Sequence, residues 1–285
     1  MALLQLAQSG MRRVLTARGV RSRFEDVAGQ RLHHYALEGA GRGPPVLLVH
    51  GLGGAANGWA RVLFGLARRF RRVHAVDLPG HGLSPLHAAG PARLRAHADV
   101  LAAFHRQVVG GPALVVGNSL GGAMAVQLAA EAPGAVAALA LLAPAGARVE
   151  EARMAETLAA LAVRDAAQAH AVTRRLFHRV PLSMRLLGGQ MRAVYDTPTV
   201  RALLADAPSL PYLAPEVLAA LAPPVLLLWG ESERLLPAEG LEYFRAHLPP
   251  HARVEVLPAC GHVPHVEAPA AVVARLCRFA DEQGL

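Results

Sequence analysis

From residue 22 onward, apolar runs and helical stretches follow one another in a regular order. Three strand-like segments come first: "RSRFEDVA", "QRLHHYALEG" and "PPVLLVHG". The third is a continuous apolar run, the pattern of a strand buried on both faces. "RRVHAVDLPG" and "ALVVGNS" are further strands, with "ADVLAAFHRQVV" between them reading as a helix. "AMAVQLAAEAP" is helical up to its proline, and "VAALALLAPAG" returns to strand. Strands spaced by helices require right-handed crossovers, so the expected class is α/β, a mostly parallel doubly wound sheet covered on both sides.

The alternation stops between about 148 and 222. "EEARMAETLAALAVRDAAQAHAVTRRLFHRV" has helical patterning and no buried strand, and proline-rich "DAPSLPYLAPEVLAALAPP" closes the stretch. Strand and helix then resume with "VLLLWGE", "LEYFRAHLP", "ARVEVLPACGH" and "AAVVARLCRFADE". This predicts a core made of 22–147 and 223–285, interrupted by a helical insertion at 148–222. Residues 1–21 form a separate N-terminal segment. It is acid-free, and Arg12, Arg13, Arg18, Arg21 and Arg23 all precede the first acid, Glu25. Its apolar run is too short, and its arginines on the wrong side, for a secretory signal. A cationic amphipathic helix with a membrane-surface or transit role is one reading. A short helix packed on the domain, or a frayed terminus, is the other.

Composition narrows the picture. At 53% hydrophobic residues the 285-residue chain supports a large packed core. No apolar run reaches the roughly 18 to 20 residues needed to span a bilayer. All cationic side chains are arginine, so Schiff-base chemistry on a lysine is excluded. The charge of +8 has no basic-aromatic module behind it, and aromatics are only 5%, which argues against nucleic acid. Cys260 and Cys277 lack the spacing of a zinc site. The expectation is a cytoplasmic protein needing no cofactor and no metal.

The chemistry gathers where strands end. "VLLLWGESERLLP" delivers two carboxylates, Glu231 and Glu233, to the exit of an apolar strand. A polar loop would suffice to explain them, but other strand ends add to the pattern. "GNSLG" (Gly117 to Gly121) lies between a strand and a helix, a context in which small residues allow a sharp turn with Ser119 at its tip. The helix start adds free amides and partial positive charge. "HGLGG" (His50 to Gly54), "DLPGHGLS" (Asp77 to Ser84) and "GHVPHVEAP" (Gly261 to Pro269) follow other strands. The order Ser119, a carboxylate near 233, then His262 matches the Ser, Asp/Glu, His order of one fold family.

On these motifs the chain resembles the α/β-hydrolase superfamily, in the serine-nucleophile branch with a helical cap. The resemblance runs from about 22 to 282. It implies Ser119 as nucleophile, His262 as general base, and the backbone amides of Leu52 and Leu120 as oxyanion donors. It makes 148–222 the cap. The family's acid, usually aspartate, stands three residues beyond a glycine. Here that position is Glu233, three after Gly230, and no aspartate occurs between Asp206 and Asp281. Glu231 is the competing acid. His265 could pair with His262 around a metal, but a third ligand is not evident. His50 and His81 fall at positions associated with loop architecture.

The implied activity is that of a serine carboxylic ester hydrolase acting through an acyl-enzyme on a small-molecule substrate with an apolar acyl group. Alternatives are carbon–carbon bond hydrolysis of ring-fission products, acyl transfer on the same triad, and a non-catalytic ligand binder. "GNSLGG", Trp59 and "LLAPAG" are similar to the carbon–carbon hydrolases, whereas Val263 and Arg61 depart from them. The cap stretch from Arg174 to Arg192 has five arginines and no acid. With the N-terminal arginines it suggests weak contact with a membrane surface or an acyl-carrier partner.

Overall fold

The structure is a computed structural model that describes residues 2–88, 90, 94–207 and 212–285, without side chains at 2–5, 7, 183, 186 and 187. Part of the proline-rich stretch read from the sequence, 208–211, lies outside the described residues. Eight strands form one sheet in the order β1-β2-β4-β3-β5-β6-β7-β8. They are β1 (Arg21–Val27), β2 (Gln30–Glu38), β3 (Val46–Val49), β4 (Arg72–Val76), β5 (Ala113–Asn118), β6 (Val136–Leu142), β7 (Val225–Gly230) and β8 (Arg253–Leu257). β2 pairs antiparallel with both β1 and β4, and every later pairing is parallel. After β3 the chain steps to β4 on one side and then crosses to β5 on the other, which puts the ends of β4, β3 and β5 side by side at a reversal of strand order. Ligands of open α/β sheets bind at such reversals, outside the carboxyl ends of the strands.

Period-two geometry explains why the central strands are wholly apolar. Leu47 and Val49 of β3 join a core with Val115, Leu139, Leu227, Phe104, Met124 and Phe244. Val46 and Leu48 face the other way, into a core with Leu114, Ala140, Leu226, Trp59, Phe70 and Phe279. Helices α3 (Leu94–Phe104), α4 (Leu120–Glu131) and α11 (Glu239–His247) cover the first face. Helices α2 (Ala60–Leu66) and α13 (Pro269–Glu282) cover the second. The predicted helix "ADVLAAFHRQVV" ends in a π turn over His105–Val109, and a glycine in the left-handed region, Gly110, stops it.

Two further regions frame the site. Residues 2–17 form helix α1 (Ala2–Ala17), whose Leu15 is buried against the second core. Between β6 and β7 lie α5 (Glu151–Leu161), α6 (Ala166–Leu176), α7 (Leu182–Leu187), α8 (Arg192–Tyr195), α9 (Pro198–Asp206) and α10 (Pro215–Ala219). No strand occurs there among the described residues. These helices have their own apolar cluster, including Val172, Leu176, Phe177, Tyr195 and Val200, which also takes in Leu52 and Leu235 of the sheet domain. No helix among the described residues is long and apolar enough to cross a membrane.

Candidate active site

Ser119 sits between β5 and α4 with φ 54 and ψ −120, a left-handed conformation that a side-chain-bearing residue rarely holds. Its neighbours permit this. A Cβ on Gly117 would lie 2.3 Å from the Gly121 carbonyl oxygen, and one on Gly121 would lie 2.4 Å from that of Val49. The turn is thus packed backbone to backbone. It is held by hydrogen bonds from the Ser119 amide to the Leu142 carbonyl and from the Ala145 amide to the Ser119 carbonyl. Leu120 opens α4, where the first amides of a helix have no intrahelical partner.

The loop after β3 closes over the serine. A Cβ on Gly51 would come within 3.0 Å of the Ser119 Cβ, and Gly54 N–H bonds the Gly51 carbonyl in a tight turn with Gly53 at φ 68. His50 fixes this loop in space. Its Nε2 accepts from the Leu78 amide at 3.0 Å, so its Nδ1 must donate to the Gly51 carbonyl at 2.8 Å. Burial holds the ring neutral, with its pKa lowered. Asp77 ties the next loop. It accepts from Ala56 N–H at 2.6 Å and Leu83 N–H at 3.0 Å, and pairs with His33 Nδ1 at 2.7 Å. His81, pushed down to about 3 by burial, places its Nδ1 3.1 Å from the Pro79 carbonyl. His50 and His81 thus both bond to loop backbone.

His262 follows β8. Its Nδ1 lies 2.7 Å from Glu233 Oε2, and both side chains are 3% exposed. Glu233 Oε1 accepts from the amides of Leu235 at 2.7 Å and Leu236 at 3.0 Å. Burial alone would raise the Glu233 pKa, but His262 and these two amides outweigh it, and the carboxyl is held below its usual range. Glu231 turns elsewhere: its Oε2 accepts from Ala259 N–H at 3.0 Å. An ionised Glu233 accepts the Nδ1 proton of His262 and leaves Nε2 as the ring's basic nitrogen. Gly230 makes the loop crossing fit, since a Cβ there would lie 2.3 Å from the Gly261 carbonyl oxygen.

Two side chains inside the sequence motifs take roles that the motifs did not disclose. Asn118 Nδ2 donates to the carbonyls of Leu142 and His262, each at 2.9 Å, and so joins the serine turn to the histidine loop. Glu267 Oε2 accepts from Gly261 N–H at 2.6 Å while its Oε1 accepts from His178 N–H at 2.8 Å. The inserted helices reach the same loop directly. The His262 amide bonds the Leu176 carbonyl at 2.9 Å, and His178 Nδ1 lies 2.7 Å from Ser232 Oγ.

Ser119, His262, Leu52 and Leu120 line one cavity of ≈ 1450 Å³. Leu158, Leu161, Met184, Met191, Leu204 and Leu213 contribute to its largely apolar wall. His265 also lines it, neutral with its pKa pushed down to about 3 by burial and stacked on Trp59 at 4.0 Å. No group of three or more metal-ligating side chains exists among the described residues.

Comparison with known proteins agrees with this architecture. Residues 44–269 match the family described as alpha/beta hydrolase fold. The chain belongs to that family. This α/β hydrolase is 31% identical over 273 residues to the dihydrolipoyllysine-residue acetyltransferase component of an acetoin cleaving system from Pseudomonas putida, covering 92% of this chain and 70% of that one. It is 30% identical over 249 residues to a pimeloyl-[acyl-carrier protein] methyl ester esterase of Nitrosomonas europaea, covering 82% and 94%. The hydrolase is also similar to the crystal structure of a membrane phospholipase A, a bacterial virulence factor. That match has a TM-score of 0.83 and 26% identity, covering 99% of this chain and 90% of the other.

Proposed function

We propose that this α/β hydrolase is a serine carboxylic ester hydrolase with a Ser119–His262–Glu233 triad, acting on esters with a large apolar acyl group. One observation carries the reading. A serine held at positive φ shares a cavity with a histidine whose Nδ1 is bonded to a buried carboxylate. In the mechanism, His262 Nε2 takes the Ser119 proton as Oγ bonds to the ester carbonyl carbon. The amides of Leu52 and Leu120 receive the developing oxyanion. Collapse expels the alcohol, which takes the proton from His262. Water, deprotonated by the same nitrogen, then attacks the acyl-enzyme and releases the carboxylic acid and Ser119. Glu233 stabilises the imidazolium formed in each half.

The acyl preference is supported by the cavity, which exceeds the roughly 300–1,000 Å³ of drug-sized sites. The esterase among the relatives supports the reaction class. Arg61 is one of the two positions at which this chain departs from the carbon–carbon hydrolases. It is exposed, bonds the Val266 carbonyl at 3.0 Å and is not among the cavity-lining residues, which supports the ester reading over that alternative. The test is burst and steady-state hydrolysis of p-nitrophenyl acetate, butyrate and octanoate. Turnover should rise with chain length, and Ser119→Ala should remove it by roughly 10⁴-fold or more. A burst without turnover, relieved by an added alcohol, would instead make the protein an acyltransferase. Turnover that survives Ser119→Ala would refute the mechanism.

A further inference from the structure

Helix α1 has two apolar faces, and only one of them is used. On the inner side Leu15 is 2% exposed, while Gln8 and Met11 line the cavity that holds Ser119. On the other side Leu6, Gly10, Val14 and Ala17 recur at spacings of four, four and three residues, which aligns them along one helical face. All four are exposed, Leu6 at 66% and Val14 at 53%. Arg13 falls on the same face and makes no ion pair among the described residues, whereas Arg12 lies on the Gln8 side of the helix, towards the domain. No acid occurs in the chain before Glu25.

From this arrangement we propose that α1 is an in-plane anchor for an anionic lipid surface. Leu6 and Val14 would enter the boundary between headgroups and acyl chains, with Arg13 against the headgroup phosphates. An exposed apolar helical face that carries an arginine, on a helix free of acids, meets the requirements of interfacial binding. Its place in the fold gives the binding a purpose. Met11 is 41% exposed and also lines the cavity, so α1 forms part of the rim. Tyr212 and Val217, likewise exposed cavity-lining residues, mark other parts of that rim. A surface seated on α1 would lie next to the opening through which an apolar substrate reaches Ser119.

The test is co-sedimentation of the full chain with vesicles of phosphatidylcholine alone or mixed with phosphatidylglycerol. It reads binding without turnover, so its result is independent of the esterase reading. The wild type should bind the mixed vesicles and not the neutral ones. Leu6→Glu/Val14→Glu should weaken binding by about tenfold or more, and Arg13→Gln by about fivefold. Circular dichroism and a urea unfolding curve would verify that both variants remain folded. Absence of binding by the wild type would overturn the proposal. So would binding unchanged by Leu6→Glu/Val14→Glu, which would leave adsorption by charge alone. Sedimentation velocity covers the remaining occupant. A wild-type dimer that these glutamates dissociate, with no vesicle binding, would assign the face to a second copy of the chain and overturn the proposal equally.

Discussion

A glutamate reaches one methylene further than an aspartate, and at position 233 the surrounding backbone uses that length. One carboxylate oxygen meets His262, while the other is fixed by the amides of Leu235 and Leu236. Aspartate cannot serve both sets of partners from the same backbone position. Glu233→Asp is therefore expected to lower kcat by roughly 10-fold to 100-fold. Glu233→Gln, which disrupts the tautomer of His262, should cost roughly 10³-fold to 10⁴-fold. Glu231→Gln should change kcat by less than about twofold, because its partner is the Ala259 amide, away from the histidine. Steady-state rates on one ester measure all three. From the sequence, the resemblance and a count of three from Gly230 ranked Glu233 ahead of Glu231. What that count could not supply is the pair of amides that makes the longer acid fit.

Among the elements, those with a strong period were legible and those held by tertiary contacts were not. All eight strands were foreseen, the central ones because apolar runs between turn residues leave little choice. Helix α2 was not. The turn leading into it starts after Ala55, which offers no side-chain cap, and α2 itself follows Trp59 without one. Asn118 and Glu267 stood inside quoted motifs, yet their partners lie up to 144 residues away in sequence, where no local pattern reaches. The clamp around Glu267 is open to test. Glu267→Ala leaves the Gly261 and His178 amides without their acceptor. Hydrogen exchange should rise at 176–179 and 260–263, and kcat should fall by about tenfold. Unchanged exchange in both segments would show that the clamp holds nothing. The serine turn makes a stricter prediction: Gly121→Ala, blocked by the Val49 carbonyl, should cost about 2–4 kcal/mol in urea unfolding.

At the scale of the molecule, acid sensitivity follows from buried histidines. Burial pushes His34, His81 and His265 down to about 3 and His74 to about 4. In the unfolded chain each returns to about 6.5. Between those values the unfolded state binds more protons, so stability is full above about pH 6.5 and declines as pH falls toward 4. Each group contributes up to about 1.4 kcal/mol per pH unit. The urea midpoint should fall steadily from pH 7 to pH 5, and a flat profile would contradict this assignment. The sequence shows 14 histidines, but not which of them the sheet would bury. The same core predicts that Leu48→Ala, at a fully buried central strand position, costs about 2–5 kcal/mol.

The joint between the inserted helices and the histidine loop has a consequence for traffic. Because the His262 amide is bonded to Leu176 and Glu267 grips both sides, this seam cannot part without loosening His262, the base of the proposed triad. The two therefore work as an interlock: a door opened at the seam would disarm the machine behind it. In the proposed esterase, substrate and product would then pass through the rim bordered by Met11, Tyr212 and Val217. An esterase built this way would exchange its cargo while the contact between His262 and Glu233 stays connected.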